Sequence, residues 1–452
     1  MNFSPWTIVT DLGVMSILFL IGVILRAKVK VVQELFLPAG LIAGILGLIF
    51  GPNGLELLPF SSLIGTYPSI LIAFVFASLP FSSEKVPFRS VTRRVGKMWG
   101  YSQALMLMQW GGGMLFGLLI LNLFWGDLHT GFGLMLASGF AGGHGTAAAI
   151  GQAFDGLGWD EAASLAMTSA TVGIVSAIVG GLILIKWGTR NGHTGFITDF
   201  SQLPKELKTG LVPEENRQSV GEGTVSSISI DPLAFHVTLV GLTAAAGYYL
   251  STLGSQWFPQ LSIPAFCCAF LAALLCMKIM EWTKSDRYVD KKMVNRISGS
   301  ATDILVAFGV ASIKLPIVVK YAAPLALLFI FGLLYCFFFF KVLGPRYFKE
   351  YWFERCIFSW GWATGTTAMS IALLRIVDPD LKSKTLDDFA LAYIPMAPVE
   401  IAVVTLSPLL IINGQHWLFT SITILVGIAL LVVTNMNRFH RQTGRLGTEK
   451  NF

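Results

Sequence analysis

The residues with most chemical promise form two short stretches. In the first, Ser138-Gly139-Phe140-Ala141-Gly142-Gly143-His144-Gly145-Thr146, four glycines fall within seven residues. Inside a plain helix each glycine costs roughly 1 kcal/mol relative to alanine. An unwound turn instead frees N–H and C=O groups, which can hold an anionic substrate or a sodium ion where they face a cavity. A helix N-terminus beside such a turn adds favourable potential for a carboxylate. The competing reading is close helix packing through small residues. In the second stretch, Gly361-Trp362-Ala363-Thr364-Gly365-Thr366-Thr367-Ala368-Met369-Ser370, hydroxyls replace most of the glycines. With backbone carbonyls they offer the oxygen ligands that sodium takes, or they bond between helices. The substrate-binding candidates are Gly142, Gly143, His144, Gly145 and Thr146 in the first stretch, and Gly365, Thr366, Thr367 and Ser370 in the second.

Charged residues inside apolar segments are the next candidates. A carboxylate in hydrocarbon is costly and defaults to a functional role. Asp303, near the start of its expected helix, and Glu400, which follows Pro395 and Pro398, are the two such groups and the candidate ion ligands. Glu400 could also meet a substrate amine, carry a proton or form a salt bridge. His144 reads either as a proton or substrate contact or as a packed histidine with its hydrogen bond satisfied. Lys314 and Arg375 end their segments and snorkel to headgroups or neutralise a substrate carboxylate. No nucleophile–base set and no cluster of His, Cys and Asp stands out, so neither an enzyme nor an organic cofactor is implied. Cys267, Cys268, Cys276, Cys336 and Cys356 lack metal-ligand spacing and read as small core residues.

The elements that must position these groups are membrane helices. Of 452 residues, 54% are hydrophobic and 13% charged, against roughly 25% charged in a soluble domain. Apolar segments are expected at 6–26, 36–51, 63–80, 98–125, 131–153 and 161–186. After a polar linker, 187–231, come 233–254, 263–280, 299–318, 321–341, 356–376, 388–413 and 417–436. Many have the length that spans a bilayer core of about 30 Å. The net charge of +6 lies in short loops between these segments, which argues for the positive-inside rule and against nucleic acid. No basic stretch precedes the first apolar block, so that helix is expected to be its own insertion signal.

Charge also sets the expected topology. Arg26, Lys28 and Lys30, then Lys85 to Lys97, the linker, Lys284 to Lys292, Arg346 and Lys349, and finally Arg438 to Arg445 all reach the cytoplasm under one arrangement. In it the N-terminus is outside, the C-terminus is cytoplasmic, and 131–153 and 356–376 return to their own side. Five crossings per half invert the second half relative to the first, with 417–436 as an addition. The expected parts are a first repeat at 1–186, the linker, a second repeat at 232–413, and an extra helix and tail at 414–452. Leu71–Leu79 resembles Leu305–Ile313, Pro38-Ala39 recurs as Pro264-Ala265, and Gly145–Ala148 as Gly365–Ala368, in the same order and at nearly constant spacing. Inverted repeats can exchange conformations and open a central site to either side in turn.

On Gly142–Thr146, and on Leu165–Gly173 after it, the chain resembles the bacterial sodium:glutamate symporter family, whose first half carries Gly-Gly-His-Gly-Thr. Gly361, Gly365, Thr367, Ile371 and Ala372 match the family's second motif. Ala363, Ala368, Met369 and Leu373 depart from its glycine, proline, threonine and asparagine. The resemblance covers most of residues 5–413. It implies an all-α, sodium-coupled symporter in the bacterial inner membrane. It also implies a homodimer, in which one domain carries glutamate or a related small organic anion past a fixed scaffold. A proton-coupled or exchange carrier, and a non-transporting membrane sensor, are the alternative readings.

Overall fold

Every long apolar run closes into a helix, because the backbone of a segment in hydrocarbon must satisfy its own hydrogen bonds. The computed structural model describes residues 4–82, 88–196, 209–214, 217, 219–257, 264–379 and 381–435. Lys85, Lys205, Lys208, Arg438, Arg441 and Arg445 lie outside the described residues, as does part of the linker. The described residues contain helices and no strand.

The first half comprises α1 (Pro5–Lys28), α2 (Ala39–Phe50), α3 (Tyr67–Ser82) and α4 (Phe88–Phe116), then the pair α5 (Leu134–Phe140) and α6 (Gly143–Asp155), and α7 (Ala162–Arg190). The second half comprises α8 (Pro232–Trp257), α9 (Ala265–Trp282), α10 (Lys291–Ala311) and α11 (Ala322–Phe338), then the pair α12 (Trp352–Thr364) and α13 (Thr367–Val377), and α14 (Thr385–Ile412). Last comes α15 (His416–Asn435). Eight of the described helices are long and apolar enough to cross a membrane. Three of the expected crossings fall to other helices. At 12 residues α2 reaches only about 18 Å, α3 has 16 residues, and α10 opens on Lys291-Lys292 and carries Arg296 and Asp303.

The halves repeat in local detail. Pro38 and Pro264 each stand extended before their helix, at φ −61°, ψ 141° and φ −60°, ψ 143°. Ser78 and Ser312 each donate to the carbonyl three residues back, Val75 and Gly309, at 2.6 and 2.9 Å. Both α4 and α11 loosen into a five-residue π turn, Gly117–Leu121 and Phe339–Leu343. In each half a broken helix pair follows.

Two compact units form, and each draws on both halves of the chain. The first holds Met1–Ser83, His144–Thr171 and Pro204–Tyr321; the second holds Glu84–Gly143, Val172–Leu203 and Ala322–Phe452. In the first unit α3 packs on α9 and α10, and α2 on α1 and α10. Met15, Leu18, Ala43, Ile64, Tyr67, Ala307, Phe308 and Ala311 form a core there, with the Tyr67 and Phe308 rings 4.6 Å apart. In the second unit α4 is the axis, flanked by α15, α14, α5 and α11. The α4 helix starts ten residues before the apolar run expected at 98–125 and bends at Val95 (φ −129°, ψ 22°), where its basic first turns join the apolar stem.

Candidate functional site

Both glycine- and threonine-rich stretches interrupt their helices where the sequence predicts. The first pair parts at Ala141-Gly142, a turn in which both amides reach back to the Ala137 carbonyl, at 3.1 and 3.4 Å. Gly143 then restarts the chain at φ +60°, the left-handed region that glycine enters freely and other residues enter at a cost. The second pair parts at Gly365, whose amide still bonds the Gly361 carbonyl at 3.0 Å. Thr366 stands extended there (φ −145°, ψ 163°) and caps α13, its hydroxyl accepting from the Met369 amide at 3.4 Å.

The two breaks touch within the second unit. A Cβ on Gly143 would lie 3.2 Å from the Gly365 carbonyl oxygen and 3.2 Å from the Thr366 methyl, so the backbones approach as closely as a missing side chain permits. The unit supports this point from behind. Gly173 of α7 passes so near the Thr364 carbonyl that a Cβ would stand 2.5 Å from it, and one on Gly365 would meet the Ala177 methyl at 2.8 Å. Trp360 donates its indole N–H to the Ala177 carbonyl at 3.1 Å. From α4, Gln109 donates to the Ala363 carbonyl at 3.0 Å. Neither Gln109 nor Trp360 was singled out by sequence; only a polar side chain in mid-helix signals the first.

Electrostatics follow from helix ends. The first amides of α6 and of α13 have no carbonyl one turn back in their own helix, and their partial positive charge favours an anion. The last carbonyls of α12 point the opposite partial charge toward the same break and favour a cation. The arrangement can therefore hold both signs with backbone groups.

The other candidates distribute as follows. His144, Gly145 and Thr146 form the first turn of α6 and belong to the first unit. His144 is 2% exposed and meets the Thr171 hydroxyl through Nε2 at 3.2 Å. Thr146 is buried, and Gly145 rests near Ile72. Ser370 is buried and spends its hydroxyl on the Thr366 carbonyl at 3.2 Å, while Thr367 is exposed. Glu400, half-buried on α14, accepts from the Tyr393 hydroxyl at 2.9 Å, two turns back across Pro395 and Pro398. Its partner is thus a phenol on its own helix. Asp303 belongs to the first unit and lies in mid-helix, not near its start, because α10 begins at Lys291; its side chain is exposed. Among the described residues no three His, Cys, Asp or Glu gather as a metal cage. Lys314 is exposed, and Arg375 lies in the last turn of α13, where a cation complements the helix terminus.

A third intramembrane carboxylate corrects the count of two. Asp11 of α1 is fully buried and accepts from the Ser61 amide (2.9 Å), the Ser61 hydroxyl and the Tyr67 hydroxyl (2.7 Å). Its place near one end of an apolar segment makes it look interfacial in the sequence. Its three donors come from a loop and the start of α3, some fifty residues on, which no local pattern reveals.

The sequence profile of the sodium/glutamate symporter family matches residues 6–377. The chain belongs to that family. This symporter is accordingly a multi-pass membrane transporter that couples glutamate movement to sodium, with a small anion as its substrate class. The match spans both broken pairs and ends at the last residue of α13, so α14 and α15 lie beyond it. No curated protein sequence gives a significant match to this symporter.

Proposed function

We propose that this sodium/glutamate symporter carries its substrate at the meeting point of the two helix breaks, by alternating access. The observation that carries the reading is the contact of Gly143 with Gly365 and Thr366. Gly142, Gly143 and Gly365 supply backbone groups at the breaks, and Thr366, Thr367 and Ser370 supply oxygens. His144, Gly145 and Thr146, in the first turn of α6, are the further substrate-contact candidates. The amides of α13's first turn take the substrate carboxylates, and carbonyls at the end of α12 take sodium. Glu400, already oriented by Tyr393, is the carboxylate we assign to the coupling ion; Asp303 is the other candidate.

The repeats at 1–186 and 232–413 are taken as inverted, with 187–231 as a cytoplasmic linker and 414–452 as an extra helix and tail. The recurrence of extended proline, back-bonded serine, π turn and broken pair supports duplication. The basic loops favour an external N-terminus and a cytoplasmic C-terminus in a bacterial inner membrane. A homodimer and the absence of any organic cofactor complete the proposal.

The test is radiolabelled glutamate uptake into proteoliposomes under an inward sodium gradient, against a potassium control. Accumulation that collapses with the gradient supports the reading. Folded protein that accumulates no glutamate under any gradient defeats it, and gradient-independent binding alone would favour a sensor.

A further inference from the structure

His236, near the start of α8, sits between two backbone groups that can each play only one part. Its Nδ1 lies 2.6 Å from the Pro232 carbonyl, which only accepts, so Nδ1 carries the proton. Its Nε2 lies 2.7 Å from the Asp290 amide, which only donates, so Nε2 presents a lone pair. The ring is therefore neutral, in one defined tautomer, and fully buried. Both contacts lie within the first unit.

Asp290, the partner in the second contact, has two further roles. It is the N-cap of α10, where its Oδ1 accepts from the Met293 amide at 2.7 Å. Its Oδ2 accepts from the Glu222 amide of the linker at 3.2 Å. Gly221 beside it packs so closely on Met293 that a Cβ would stand 2.4 Å from that side chain. A proton on Nε2 would set two N–H groups against each other and break the contact with the Asp290 amide. The same proton would give the ring a charge-assisted partner in the carboxylate of that residue. To take it, the carboxylate must leave the cap and the linker. Charges at this end of the unit favour the exchange. Of those on the elements packed against α8, the partly buried ones are the carboxylates Glu281, Asp286 and Asp290. Lys278, Arg287, Lys291, Lys292 and Arg296 are exposed, as are Asp231 and Glu222, and α3 brings no charged side chain.

We propose that His236 and Asp290 form an acid-released latch, which holds the end of the linker around Gly221-Glu222 on the first turn of α10. The latched form binds one proton fewer than the released form, so acid favours release. Histidine is the side chain whose charge ordinarily changes between about pH 5 and about pH 8. The inference stands apart from where the substrate binds.

The experiment is hydrogen exchange of the full-length protein in detergent at about pH 8 and about pH 5, with each amide's rate divided by its intrinsic rate at that pH. In the wild type the Glu222 and Met293 amides should be at least about tenfold less protected at the lower pH, the change one proton gives per pH unit. Amides of α2 should keep their protection. His236→Gln retains an N–H and an acceptor oxygen but takes no proton, so its protection should be the same at both. Asp290→Asn still caps α10 but offers the imidazolium no charge, so its acid loss should be smaller than the wild type's. Wild-type protection that is unchanged between the two conditions, or lost equally across α2, would overturn the latch. So would a full acid loss in folded His236→Gln, or in Asp290→Asn should His236→Gln fail to fold.

Discussion

The two broken helices reach one shape by different chemistry. At the first break a glycine takes a backbone conformation that other residues resist, and that glycine is itself the first residue of the restarting helix. At the second the restarting residue is extended, a conformation open to any residue, and a threonine hydroxyl caps the new helix. One break is thus held by what is missing from Gly143 and the other by what Thr366 adds. Both segments keep the interruption while the residues that hold it differ. The departures from the family's second motif at Ala363, Ala368, Met369 and Leu373 fall on the break that relies on a side-chain cap, where the backbone tolerates more substitution.

The largest effect is expected at Gly143. Leucine there meets both the strained φ and the Gly365 carbonyl, so uptake should fall to background in protein that still expresses. Alanine should cost about tenfold in initial rate, in line with the 1–2 kcal/mol penalty of the left-handed region. If Gly143→Leu transports normally, the comparison and the proposed site both fail. Next, Gly365→Ala should lower the melting temperature of purified protein by an overpacking cost of about 1–3 kcal/mol. Adding Ala177→Gly should recover part of it, whereas no neighbour's removal should rescue Gly143→Ala. Equal rescue at both sites would erase the distinction drawn here. Smaller again, Thr366→Val should cost about 1 kcal/mol by loss of the cap, with Thr366→Ser restoring it. The smallest expected effect serves as a control. Lys320 and Glu161 pair at 3.7 Å with the lysine in solvent, and Lys320→Met should leave the melting temperature unchanged within error.

Much of this was legible in the sequence, for reasons that differ by level. Helix positions follow from apolar length alone, and both breaks follow from the Gly-rich and Thr-rich runs, since only interrupted helices need such residues at membrane depth. The local matches Pro38/Pro264 and Leu71–Leu79/Leu305–Ile313 also became matched geometry. What stayed hidden depends on partners far along the chain. Asp11 needs Ser61 and Tyr67 to explain its burial, and Gln109 needs the Ala363 carbonyl. The basic start of α4 hid ten residues of helix, because charge masked a segment that continues through a bend. The sorting of both halves into each unit could not be read from periodicity, which describes a helix's faces but not which helix covers them.

The sorting has a consequence for how the protein is made. Thr434 of α15 rests against Gly100 of α4 and bonds Tyr347 near the end of the π turn after α11. The central helix of the second unit is therefore among the early ones to be synthesised, and its last neighbour is among the latest. Between those events the ribosome delivers helices belonging to the other unit, while the apolar flank of α4 must rest against lipid or a translocon-associated chaperone. Assembly of this unit is thus timed by translation, and a pause or truncation ahead of α15 would leave a fully inserted chain with its longest seam still open.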